Sequence, residues 1–383
     1  MSQRATKINR VTCASLLTIV VLYFSQETII ASAILGRILL VLIYGISFSY
    51  LIKMTISSEK FHRIMKLFIL FLILNFFGYL FSNDYSDFNI FKNVFLNFLP
   101  FFPFYYFARN NILTSKEISV VFFVLLPIFI IQFYQSTQNL KFDKFNDDYI
   151  VNNKVYLFIG LLPIVFLIKN RIIAIFSLMV TWFYIVQSAK RAAVLIGLVS
   201  FLLFVFYNFR RSDTKKEKFR ILNGLVRFLL ISGAIFFGYR FFTENDFLIT
   251  RMNEMLDGDS SGRDVIALEA FQKWYNSDNV LNYLFGFGYN SVLHITGHVS
   301  HNDWLDMIVS YGIFGLFLYS SIYIVLIQEI LSKDWIMEKN RILILLFAIA
   351  IITSMTSRWY WSNFAYANMI ILPYLLATKN KQT

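Results

Sequence analysis

The chain has 383 residues, 57% hydrophobic and only 15% charged, whereas soluble domains carry about a quarter charged residues. With 44 Phe and 22 Tyr, a soluble fold would have more apolar surface than it can hide; in a bilayer that surface faces hydrocarbon and the rings can sit at the headgroups. The net charge of +12 does not indicate nucleic acid, because the basic residues are scattered between apolar runs, and Cys13, the single cysteine, excludes an intramolecular disulfide and a cysteine-rich metal site.

At the N-terminus, Arg4, Lys7 and Arg10 precede the apolar stretch 11–24, and Ala31-Ser32-Ala33 resembles a cleavage site. That is the outline of a signal peptide. The apolar pattern resumes at once through Tyr50, which favours a first membrane helix kept in the protein. Runs able to cross a bilayer as helices then fall at 11–26, 29–52, 65–82, 91–108, 118–135, 154–169, 171–188, 191–209, 220–241, 303–331, 341–357 and 359–378. The expected fold is all-α and polytopic, with twelve spans. Residues 1–241 hold nine of them, 242–302 form a large outer loop, and 303–383 hold the last three.

Orientation follows from lysine and arginine. With the N-terminus in the cytoplasm, basic residues on cytoplasmic segments outnumber those on outer segments by more than two to one. Both termini are therefore expected in the cytoplasm. Of the outer loops, 135–154 is polar and acidic, and 242–302 alone is large enough for a small folded cap. Within it, 264–275 reads as a short amphipathic helix, with Val265, Leu268, Phe271 and Trp274 or Tyr275 at helical spacing and Glu269 and Lys273 on another face.

Basic residues that break the positive-inside pattern are the informative ones. Lys190 and Arg191 occupy a tight outer turn, where guanidinium forks can grip phosphate or long side chains can snorkel to outer headgroups. Arg263 follows Ser260-Ser261-Gly262 at a helix start, a place that can present backbone N–H groups to an anion. The simpler reading has Ser260 or Ser261 as the cap and Arg263 solvated. Asp257-Gly258-Asp259 reads as a turn in preference to a metal site. His301 stands where the outer loop re-enters the membrane, near His294 and His298. It can be a base near neutral pH, part of a metal site disfavoured by Gly297, or a plain interfacial histidine.

Ser300-His301-Asn302-Asp303-Trp304-Leu305 followed by Tyr311-Gly312-Ile313-Phe314-Gly315-Leu316 resembles the signature of the bacterial O-antigen polymerase and O-antigen ligase family. There a His-Asn pair opens a membrane helix and a Gly-x-x-Gly-Leu pattern follows. Ser188-Ala189-Lys190-Arg191 resembles the family's Ser-x-x-Arg turn. Ser261-Gly262-Arg263, Trp274 and Gly286-Phe287-Gly288 resemble its large-loop pattern. The motifs cover roughly 188–318, and the topology extends the likeness to the whole chain. Lys190, a second basic residue beside the family arginine, departs from the pattern.

The resemblance implies a GT-C-like membrane glycosyltransferase of the inner (cytoplasmic) membrane, using a sugar chain on undecaprenyl diphosphate and no cofactor. A polymerase moves that chain onto the next lipid-linked repeat; a ligase moves it onto lipid A core. Membrane lipid, a chain-length regulator and a flippase are the further partners implied. In such an enzyme Arg191 and Arg263 would stabilise the departing diphosphate without a metal. His301 would take the proton of the acceptor hydroxyl, and direct displacement would invert the anomeric centre. Lys190, Asn302 and Asp303 are the accompanying substrate-binding candidates. The composition resembles that of polymerases from polysaccharide gene clusters. Two rivals belong to other classes. A transporter or flippase of twelve spans is built from two similar halves with its long connection in the middle; here no half-to-half similarity is found, and the main loop lies between the ninth and tenth spans. A receptor or scaffold leaves the Lys190–Arg191 turn unexplained.

Overall fold

The structure, a computed structural model, describes residues 3–26, 33–57, 61–82, 88–143, 151–210, 262–332, 337–361 and 366–377. These form helices and connecting turns, with no strand among the described residues. In chain order the helices are α1 (Gln3–Ser25), α2 (Ala33–Ile56), α3 (Arg63–Leu80), α4 (Phe88–Phe98), α5 (Phe101–Arg109), α6 (Ser115–Asp143), α7 (Val155–Val165), α8 (Arg171–Gln187) and α9 (Arg191–Arg210). After the gap come α10 (Arg263–Tyr275), α11 (Val280–Phe285), α12 (Ser291–Thr296), α13 (Asp303–Leu331), α14 (Met337–Thr356), a π-helical turn (Ala367–Ile371) and α15 (Leu372–Ala377). The expected span 220–241, the Asp257-Gly258-Asp259 turn and loop residues 242–261 lie outside the described residues.

Six helices, α1, α2, α3, α6, α13 and α14, contain segments long and apolar enough to cross a bilayer. Three expected spans take another form. The run 91–108 is two helices, α4 and α5, separated at Leu99-Pro100, because proline has no N–H for the helical ladder. The run 154–169 supplies only α7, whose 11 residues reach about 16 Å, half of a hydrocarbon core. All of them are buried, so α7 is an internal strut packed against α6, α8 and α9. The run 359–378 is interrupted, and its described helical part begins with the π-turn at Ala367.

The most consequential departure is in α13. Gly312 has φ 64° and ψ −160°, and the chain reverses there. The Tyr319 hydroxyl donates to Asp303 Oδ2 at 2.6 Å, yet sixteen residues of unbroken helix would hold them about 24 Å apart. The Trp304 ring likewise meets Tyr319 and Tyr323, each at 5.1 Å between centroids. The helix is thus two limbs joined at Gly312, and the first folds back along the second.

Helix α3 fixes the register of the second limb. His62, the N-cap of α3, pairs with Glu329 at 3.1 Å. Phe71 meets Tyr319 at 6.0 Å between ring centroids. At the other end, the Tyr311 hydroxyl donates to Asn75 Oδ1 at 2.8 Å and the Tyr289 N–H to the Gly78 carbonyl at 3.3 Å. The second limb therefore runs antiparallel to α3, with Gly312 near the C-terminal end of α3. Asp303, at the level of Tyr319, lies about seven residues or roughly 10 Å along the second limb from that apex.

Into the bend fits the segment after α11. The Phe287 and Gly288 N–H groups donate to the Val309 and Ser310 carbonyls, both at 3.0 Å. These bonds occupy carbonyls that a break in the helix would otherwise leave unmatched. Gly286 and Gly312 make the approach: a Cβ on Gly286 would strike Ser310 backbone, and one on Gly312 would strike Leu284 backbone. The glycine pattern singled out in the sequence is in this structure a backbone-to-backbone contact.

Helix α10 forms as its periodicity predicts, but of its predicted apolar positions only Trp274 is buried. Val265, Leu268, Phe271 and Tyr275 are exposed, and the helix instead packs through Ala270 and Trp274 against Val292 and Val309. The exposed stripe adjoins exposed Val280, Leu281, Leu284 and Phe285 on α11. Phe285 in turn meets Phe314 on the outward face of α13 at 6.2 Å between ring centroids.

Candidate functional site

The first limb of α13 starts at a cap supplied by Asn302, whose side-chain oxygen accepts from the Trp304 and Leu305 N–H groups at 2.9 and 3.2 Å. This satisfies two of the orphan donors at a helix start. His301, immediately before the cap, has φ 51°, a left-handed conformation uncommon outside glycine. Such a residue persists only where its surroundings hold it. The Ser300 hydroxyl does part of this, accepting from the Asn302 N–H and donating to the Asn302 carbonyl, both at 3.2 Å.

Three cations act on the His301 imidazole: Arg263, Arg358 and Lys190. They come from widely separated stretches, namely the start of α10, the turn after α14 and the turn between α8 and α9. Burial, and then these positive charges, bring the imidazole down to about 4. It is neutral through the physiological range.

Lys190 follows Ala189, which has φ 53°, and its Nζ donates to Asn153 Oδ1 at 2.6 Å. It lies over the Tyr156 ring, 4.4 Å from the centroid. Burial first, and then Arg263, lower its ammonium to about 8. The loop that receives it is itself tied to the Lys190 turn by the Asn152 N–H, which donates to the Ser188 carbonyl at 3.1 Å.

Of the residues expected at the site, Lys190, Arg263 and His301 lie within one electrostatic neighbourhood. Arg263 is exposed, at the first turn of α10 behind Gly262, which is the N-cap. Arg191 opens α9 half-buried, with its Nε shut off from solvent. Asn302 spends its side-chain oxygen on the helix cap. Asp303 is fully buried, its Oδ2 accepting from Tyr319 and from the Trp359 N–H at 2.8 Å. Both residues have structural work at these atoms. His294 and His298 are exposed, and among the described residues no three His, Cys, Asp or Glu side chains gather as a metal-binding group.

Asp303 joins three chain segments below the site, so its removal has a clear expected result. Asp303→Ala leaves the Tyr319 hydroxyl and the Trp359 N–H buried without that acceptor. A loss of roughly 3 kcal/mol or more is expected, read as a large fall in the thermal midpoint of the detergent-purified protein. An unchanged midpoint would show that the first limb does not depend on this anchor.

Arg358 is the functional candidate the sequence did not single out. It reads there as one more basic residue at a span end. In the structure it is buried, paired with Asp306 at 3.0 Å (Nε to Oδ2), and stacked 3.6 Å from the centroid of the Trp361 ring. The sequence signal available was an arginine flanked by Trp359, Tyr360 and Trp361, an aromatic setting suited to a desolvated guanidinium.

No protein-family model matches the chain, and no curated protein matches it in sequence.

Proposed function

We propose that this chain is a polytopic membrane glycosyltransferase that extends lipid-diphosphate-linked oligosaccharides into a surface polysaccharide. In this reading both termini are cytoplasmic, and the reaction takes place on the outer side of the bacterial inner membrane. The observation that carries the reading is a neutral His301 on which the positive charges of Arg263, Arg358 and Lys190 all act, placed just before the first limb of α13. An anionic ligand is what such a cluster selects. A neutral imidazole beside it can accept a proton.

The chemistry follows from these charges. The acceptor hydroxyl attacks the anomeric carbon of the donor sugar, and the bond from that carbon to the diphosphate oxygen breaks. The electron pair leaves on the diphosphate, where Arg263 and Lys190 stabilise it electrostatically. The hydroxyl proton passes to His301. The anomeric centre inverts, and no metal or nucleotide sugar is required by this scheme.

The test is synthesis by the purified protein in detergent from lipid-linked repeats. Elongation is expected with the wild-type chain and loss of elongation with His301→Ala at unchanged protein yield. A preparation that moves lipid-linked repeats across vesicles but never lengthens them would make the protein a flippase. Acceptor class is separated in cells: after deletion of the gene, core bearing a single repeat indicates a lost polymerase, and bare core a lost ligase.

A further inference from the structure

Arg358 has a reach that its ion pair alone does not explain. Its Nη1 faces Asn290 Oδ1 at 3.4 Å and its Nη2 faces Ser300 Oγ at 3.5 Å. Asn290 precedes α12 and Ser300 precedes His301, so the two contacts bracket the loop that carries the imidazole. Asp306, one turn into the first limb of α13, holds the other side of the guanidinium. Trp361 covers its face. A planar fork with donors on several edges can serve all these partners at once; an ammonium cannot.

We propose that the Asp306–Arg358 pair is a clamp that positions His301 by fixing the 290–301 loop that carries it. Arg358 is thus a positioning residue. It acts through Ser300 on a left-handed backbone that has no glycine to relax it. The clamp as a feature of the fold stands independently of the reaction; its importance for catalysis rests on the transferase reading above.

The experiment is site-resolved modification of histidines by diethyl pyrocarbonate in purified full-length protein at pH 7, followed by mass spectrometry. His301 is neutral at that pH, so its rate reports access and loop order instead of protonation. N-acetylhistidine added to the same tube is the reference standard. In Arg358→Gln, and in the milder Asp306→Asn that keeps the side chain's shape and removes its charge, modification of His301 relative to the standard is expected to rise roughly tenfold as the loop opens locally. Arg358→Lys is expected to behave like Arg358→Gln, because charge without the fork does not restore the Ser300 and Asn290 contacts. Where Arg358→Gln does not fold, Asp306→Asn carries the test.

An unchanged ratio in folded Arg358→Gln or Asp306→Asn overturns the clamp, as does full restoration by lysine. In the same preparations, transfer is expected to fall on the order of 10²-fold in kcat with donor KM nearly constant. A raised ratio in a protein without any transferase activity would leave the clamp standing and remove the functional reading. Normal activity with an unchanged ratio would do the reverse.

Discussion

Gly312→Ala is expected to abolish the folded protein. At φ 64° and ψ −160° the backbone is in a region essentially reserved for glycine, where other residues pay about 1–3 kcal/mol in strain. The added Cβ would also come within 2.5 Å of the Leu284 and Tyr283 carbonyl oxygens. Those are backbone atoms of α11 and cannot rotate away. Strain and overlap together exceed about 3 kcal/mol, a large share of the total stability of most domains. The readout is the monodisperse fraction recovered from membranes and its thermal midpoint. Gly45→Ala is the control: nothing lies within 4 Å of its Cβ position, it sits inside α2, and alanine is the better helix former there. A Gly312→Ala protein as stable as the Gly45→Ala protein would mean that the bend in α13 is wrong.

That bend also shows where the sequence stopped being legible. The long runs that became α1, α2, α3, α6 and α14 were visible, because spanning a bilayer needs only length and apolarity, which hydropathy reads directly. The fold-back was not. Apolar residues continue on both sides of Gly312, so a window average sees one span over 303–331. What bends the chain is a glycine-only backbone angle together with a tertiary pair, Asp303 with Tyr319, that no local pattern encodes. The stripe on α10 was legible only in part. Periodicity correctly predicted the helix, but it cannot say which neighbour an apolar face will meet, and here Ala270 and Trp274 make the contact. At the site, Lys190, Arg263 and His301 were legible as charges out of place. Arg358 was not, because its task comes from Asp306, Ser300 and Asn290, which are distant in sequence and adjacent only in the fold.

The free protein has its imidazole near 4 and its Lys190 ammonium near 8, and both values have consequences for turnover. A proton acceptor must be neutral and an anion-binding lysine charged, so the competent form exists between about pH 4 and pH 8. The profile of kcat/KM, which reports the free enzyme, should therefore be bell-shaped with limbs near those values. Lys190→Arg is expected to remove the alkaline limb, since guanidinium does not titrate there. A second shift follows from the ligand. Two of the cations that depress His301, Arg263 and Lys190, are the groups that would face a bound diphosphate, whose negative charge opposes their field. Binding should raise the basicity of His301 just when a proton must be accepted. The acid limb of kcat, which reports the enzyme–substrate complex, should lie at higher pH than that of kcat/KM. The alkaline limb should also move upward, because the same anion favours the charged lysine. Stability has the matching sign. An imidazole held near 4 in the folded state binds its proton less readily than the unfolded chain does, so stability falls as pH drops from about 6.5 toward 4. Identical acid limbs for kcat and kcat/KM would mean that no anion binds beside His301, and the cationic cluster would then need another purpose.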